Sequence, residues 1–122
     1  MDLRVYRMIV RSMCPTKSFT RVDRRVFTMP NLSDGAKVLY GYLIGLKSGQ
    51  NFSDVYISKA LGISKVVLSR RKRELKNYDL ILVEQISARL YFIYIGFTDY
   101  PASAVRDRWI SMEDTEEEED NE

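Results

Sequence analysis

The sequence predicts an α+β domain in which three helices are followed by a β-hairpin, with a strand or arm ahead of them. Three observations predict it. Between residues 51 and 81 a short helical pattern, the corner Leu61-Gly62-Ile63-Ser64 and a second helix rich in Arg and Lys follow one another, the order of a helix-turn-helix. Two β-rich runs, 80–86 and 90–95, come next and are joined only by Ser87-Ala88-Arg89, which reads as a hairpin. Upstream, Ala36, Leu39, Tyr40 and Leu43 recur at the three-and-four spacing of one helix face, so a further helix precedes the pair.

Taken in order, residues 3–10 are rich in β-branched and aromatic types and predict a short strand or arm, interrupted by Pro15. Residues 19–29 again mix β-formers with charges, and a second extended segment is expected to lead up to Pro30. Ser33 is a natural N-cap for the first helix, 33–47. Gly41 and Gly45 weaken that helix by close to 1 kcal/mol each relative to Ala and suit close approach of a neighbouring helix. The turn 48–51 follows, and Ser53 caps the second helix, whose buried edge is Ile57, Ala60 and Leu61.

Gly62 stands where the chain must leave that helix in a left-handed conformation, which glycine adopts without a Cβ penalty. Ile63 then turns back to the core. Ser64 caps the third helix, 64–78, and the backbone amides at its start are suited to holding a phosphate. Within it Leu68 and Leu75, seven apart, share one stripe, which leaves Lys65, Val66, Ser69, Arg70 and Arg73 facing away from the core. Pro101 opens a short segment with Ala102, Val105 and Trp109 on one side, and from Glu113 nothing apolar remains, so the end is expected to be disordered. The expected organisation is thus a strand or arm at 1–16, the main domain at 17–96, a short segment of helical pattern at 97–110 and a disordered acidic tail at 111–122.

At 122 residues the chain supports one domain with its own core, and its 45% apolar content is ordinary for a globular protein. No run approaches the roughly 18 apolar residues of a membrane span, and the N-terminus lacks the apolar block of a signal peptide, so no membrane partner and a cytoplasmic location are expected. Cys14 is the single cysteine and histidine is absent. This excludes an intramolecular disulfide, a Cys/His zinc constellation, and Ser-His or Cys-His catalysis. Asp23, Asp34, Asp54 and the other acids show no paired spacing for metal or acid-base work, so the chain is expected not to be an enzyme and to use no cofactor.

The overall charge of +2 averages two unequal parts. Residues 1–110 hold all 19 bases against 9 acids, a net +10, whereas 111–122 hold 8 acids and no base. A basic body points to a polyanionic partner.

With three helices, the corner Leu61-Gly62-Ile63-Ser64, then Leu68, and Leu75 through Leu80-Ile81, the chain resembles the winged helix-turn-helix superfamily over residues 32–95. Leu32-Ser33-Asp34-Gly35-Ala36-Lys37-Val38-Leu39-Tyr40 resembles the first helix of such domains in phage and plasmid replication initiators and small phage regulators. The resemblance implies that the third helix enters the major groove of double-stranded DNA and the hairpin wing, 80–95, lies over the backbone or minor groove. It assigns the contacts to Lys65, Val66, Ser69, Arg70, Arg73 and Arg89, beside Ser64 at the helix start. It further implies a transcriptional regulator or replication-initiation factor, acting in the host cytoplasm if phage-encoded. Lys72 departs from the pattern, since that position is usually apolar; its stem is expected to cover core surface with the ammonium in solvent.

Rival readings accompany each assignment. The run 70–73 is either a reading face or a solvated helix face, and its place on the second helix of the motif favours the first. Arg89 is either a wing contact or a solubilising turn residue. Arg4, Arg7, Arg11, Arg21, Arg24 and Arg25 either extend the basic surface or form the outer side of strands, and the tyrosines are expected to pack rather than stack on bases. Residues 3–10 and 105–109 either make a homodimer contact, as two-fold readers of DNA often need, or cap the core of a monomer. The tail either competes with DNA for the basic helix or only solubilises. The alternative function is a winged-helix interaction module that grips a host polymerase or replication protein.

Overall fold

The computed structural model describes residues 7–11, 22–46 and 51–120. Leu3, Pro15, the expected strand start at Phe19, the turn residues 48–50 and the last two residues of the tail lie outside that range. The elements run β1 (Arg7–Arg11), α1 (Arg24–Phe27), α2 (Asp34–Ile44), β2 (Asn51–Phe52), α3 (Asp54–Leu61), α4 (Lys65–Asn77), β3 (Ile81–Ser87), β4 (Leu90–Ile95) and α5 (Ala102–Asp120). The class is α+β.

The hairpin is half of a four-stranded sheet of order β2-β1-β4-β3. An isolated two-stranded hairpin is marginal in water, and further strands with buried faces supply what it lacks. Here β1 lies parallel to β4 and antiparallel to β2, so the N-terminal segment is an inner strand of the sheet. The period-2 alternation of strands then divides the side chains between two cores. Val10, Ile81, Val83, Tyr91, Ile93 and Ile95 face α1 to α4, where Val26, Leu39, Tyr40, Leu43, Ile57, Leu68 and Leu75 meet them. Leu82, Phe92 and Tyr94 point the other way, against Ala102, Val105 and Trp109 of α5. Val10 and Val105, from the two segments with an alternative role as dimer contacts, are thus fully buried within one chain.

Three expectations require correction. Residues 24–27 form a helical turn and not a strand. Asp23 caps it by accepting from the Arg25 amide at 3.0 Å, and Val26 is buried beneath it; tertiary packing overrides the β-propensity of Val and Phe. The same carboxylate accepts from the Thr98 amide at 2.8 Å and its hydroxyl at 2.7 Å, tying α1 to the loop after β4.

The second correction concerns α2, which ends at Ile44, and its Gly41. Ser33 caps the helix through the Ala36 amide at 3.2 Å, and the Tyr40 hydroxyl donates to the Gly96 carbonyl at 2.5 Å. A Cβ at Gly41 would only touch the Phe27 ring, at 3.4 Å, so it marks no tight helix crossing. The indispensable glycine of this region is Gly96, where a Cβ would collide with the backbone of Pro101 and Ala102.

The third correction is at the C-terminus, where α5 continues to Asp120 without a break at 110. Helix extension adds one hydrogen bond per residue once a nucleus exists, and the packed first turns of α5 provide that nucleus for a Glu-rich run of good helix propensity. The start is clamped by Asp79, whose carbonyl accepts from the Ala102 amide at 2.8 Å and whose carboxylate accepts from the Ser103 amide at 3.1 Å and hydroxyl at 2.6 Å. Farther along, Arg106 pairs with Glu84 of β3, its Nε 2.6 Å from the carboxylate. Arg11 then holds the helix to the sheet. Its side chain, 13% exposed, pairs with Glu113 at 2.7 Å. Its guanidinium lies 3.7 Å from the Phe92 ring centre and 4.7 Å from that of Trp109, a cation-π arrangement strengthened by desolvation.

Two predictions follow from these contacts. Burial pushes the Asp23 carboxyl up, but the hydrogen bonds from Thr98 and Arg25 outweigh it and hold the group down at about 2 against 3.8 ordinarily. A depressed folded value means stability that is complete above the unfolded pKa and lost as pH falls through the folded one. Urea midpoints of the native chain should therefore fall between about pH 4 and pH 2, and Asp23→Asn should flatten that decline; an equally steep decline in the variant would refute the assignment. Trp109 is the only tryptophan and reports on α5 directly. Arg11→Ala should shift its fluorescence to the red and cost about 1–2 kcal/mol, and unchanged emission and helicity would show that α5 docks without this cation.

Candidate nucleic-acid interface

The outer face of α4 is set by how the chain enters and leaves it. Ser53 caps α3 through the Tyr56 amide at 3.2 Å, and α3 ends at Gly62, whose φ is +66°. The Gly62 amide donates to the Lys59 carbonyl at 3.3 Å and the Ile63 amide to Ser58 at 3.0 Å, the paired bonds of a Schellman motif. A Cβ on Gly62 would meet nothing within 4 Å, so glycine is required for its backbone freedom and not for space. Ile63 packs against the core, as its position after the turn predicts.

Ser64 caps α4 by accepting from the Val67 amide at 3.2 Å. The other end closes with the same pair of bonds, Leu80 to Leu75 and Asp79 to Lys76, both 3.0 Å, with Asp79 at φ +55° in the left-handed role. Since Asp79 also clamps α5, the end of α4 and the start of α5 share one residue.

Leu68 and Leu75 are buried, and Ser64, Lys65, Val66, Ser69, Arg70 and Arg73 are all exposed. Five of these, Lys65, Val66, Ser69, Arg70 and Arg73, line one shallow open depression along the helix. Among the described residues no carboxylate lies within ion-pair distance of Lys65, Arg70 or Arg73.

The four consecutive cations at 70–73 divide by what they touch. Arg71 extends over Gly35 at the start of α2, and a Cβ at Gly35 would strike its guanidinium. Lys72 departs from the expected arrangement: its side chain is only 12% exposed, and Nζ lies 3.0 Å from Asp54 of α3 instead of standing free in solvent. The ammonium so placed joins the two helices of the turn, because Asp54 begins α3 within its reach. Arg70 and Arg73 point outward.

Glu74 adds a second cross-tie. It accepts from the Ser33 hydroxyl at 2.7 Å and the Ser33 amide at 3.0 Å, completing the N-cap of α2 from another helix. Those two hydrogen bonds, helped by the charge of Arg71 and opposed by burial, hold its carboxyl below the ordinary range.

Lys76 extends the cationic face, beyond the outward residues that the apolar stripe of the sequence singles out. It is exposed, one turn beyond Arg73. Burial of its stem and repulsion from Lys72 and Arg73 lower its pKa, while Asp54 opposes them. The signal was present in the spacing of Ser69, Arg73 and Lys76 at four and then three residues.

The hairpin closes through Ala88 and Arg89, with Ser87 paired to Leu90 and a register shift between Gln85 and Ser87. Arg89 is exposed at this tip, and it does not line the depression formed by α4. No helix of the described residues is long and apolar enough to cross a membrane.

No family model matches the sequence, and no curated protein matches it. Among solved structures, the chain is similar to primosome protein DnaB, residues 1–300, from Geobacillus stearothermophilus, at a TM-score of 0.59 and 22% identity. The match covers 78% of this chain and 39% of that one, so the chain spans well under half of the solved fragment. At this identity the likeness is one of fold.

Removal of the Glu74 carboxylate tests whether the tie to Ser33 holds α4 in its orientation. Glu74→Ala leaves the Ser33 amide without its acceptor and should cost about 1–2 kcal/mol in urea unfolding. An unaltered midpoint would mean that the apolar stripe and the Lys72–Asp54 pair hold α4 in place without it.

Proposed function

We propose that this chain binds double-stranded DNA as a winged helix-turn-helix protein, with helix 64–78 in the major groove and hairpin 80–95 as the wing. The observation that carries the reading is the sorting of the cations at 70–73: Arg71 and Lys72 are engaged with α2 and α3, while Arg70 and Arg73 are left outward beside Lys65. Unpaired, aligned cations on one exposed helix face are what a phosphate backbone and guanine edges require. Arg70 and Arg73 serve base reading or phosphate contact, Ser64, Lys65 and Ser69 fix the register on the backbone near the helix start, and Lys76 and Arg89 extend the electrostatic footprint. Of the two biological settings, replication initiation and transcriptional regulation, the fold likeness to a primosome protein favours the first.

A protein-binding role is the competing reading. Val38 and Tyr56 are large apolar side chains more than half exposed on α2 and α3, and neither lines the cationic depression of α4.

Salt dependence separates the two. With about four phosphate contacts the affinity for duplex DNA should fall on the order of a hundredfold between roughly 50 and 200 mM salt. Combined Lys65→Ala, Arg70→Ala and Arg73→Ala should flatten that slope without unfolding the chain, since none of the three supports the core. Duplex binding that ignores salt, or that survives the triple substitution, would reject the DNA reading.

A further inference from the structure

Val66 is 69% exposed, more than any other large apolar side chain among the described residues. It occupies the second position of α4, at the end of the helix next to the turn, and it lines the same depression as Lys65, Ser69, Arg70 and Arg73. Its spacing to Ser69, Arg70 and Arg73 is three, four and seven residues, so the four side chains form a single row along one face. The stripe that packs the helix lies elsewhere, at Leu68 and Leu75. An isopropyl group in that row contributes nothing to the core. It is also ringed by cations and a hydroxyl, not by the contiguous apolar area of a protein-docking patch.

A duplex offers one apolar group in its major groove, the C5 methyl of thymine. We propose that Val66 is a specificity-determining residue whose side chain packs on that methyl. The inference rests on the DNA-binding reading above and adds the identity of one base to it. Helix geometry gives its place: four residues rise about 6 Å along the axis, and base pairs stack about 3.4 Å apart, so a helix lying along the groove sets Val66 about two base pairs from the base met by Arg70. Where Arg70 engages the O6 and N7 of guanine in bidentate fashion, the site carries a guanine and a thymine in that relation.

The test uses the full chain. Duplexes are selected from a random pool, and each thymine of the enriched site is then replaced singly by deoxyuridine, which removes the methyl and leaves every hydrogen-bonding group. One replacement should weaken binding by about three- to fivefold, the effect of losing one buried methyl-sized contact. Val66→Ser should show the same loss on the thymine site and no further loss on deoxyuridine there, with unchanged far-ultraviolet dichroism and unchanged salt slope on non-specific duplex. Neutrality of every replacement, or an undiminished methyl effect in Val66→Ser, overturns the assignment while leaving DNA binding intact. Failure to enrich any duplex, together with a salt-insensitive complex with a protein, overturns both readings.

Discussion

The rotation of α4 about its own axis is the constraint from which the character of this surface follows. A helix can bury one stripe, and the stripe it buries decides which residues remain outside. Leu68 and Leu75 bind one side of α4 into the core, Lys72 reaches Asp54 of α3, and Glu74 reaches Ser33 of α2. Three attachments on different sides of the outward row leave little freedom to turn. An offset of one residue, about 100° of rotation, would bring Lys76 or Glu74 into the place of Leu75 and turn both leucines out of the core.

Support for that helix comes from a sheet used on both faces. β4 is an inner strand, flanked by β1 and β3, and its odd and even positions feed the two cores. Because β1 precedes the helices and α5 follows the hairpin, segments far apart in sequence are drawn into the structure that carries the hairpin. Arg11 shows the economy of this arrangement. A buried guanidinium requires compensation, and here two aromatic faces and one carboxylate supply it while fastening α5 to the sheet.

Charge is separated in the same way. The cations of α4 and the helix that carries the acidic run belong to opposite sides of the sheet, since α4 packs into one core and α5 into the other. Glu113, the first of those acids, pairs with Arg11 and not with the basic face. Competition between this acid and a duplex for α4 therefore finds no support in its contacts.

Much of the local architecture was legible in the residues themselves. The caps at Ser33, Ser53 and Ser64, the left-handed turn at Gly62, the stripe of Leu68 and Leu75 and the tight hairpin all depend on interactions within a few residues, and their chemistry is written in side-chain type and spacing. The outward group Lys65, Val66, Ser69, Arg70 and Arg73 belongs to the same class, because helical periodicity alone places it opposite the stripe. What tertiary structure alone decided are the pairings across long separations. The parallel alignment of β1 with β4, the helical turn of α1 held by Thr98, the fastening of α5 by Arg11, and the inward engagement of Arg71 and Lys72 each depend on a partner far away in the chain. Propensity and composition count a residue's own preferences and those of its near neighbours; a carboxylate 41 residues away, as Glu74 is from Ser33, enters only when the fold brings it there.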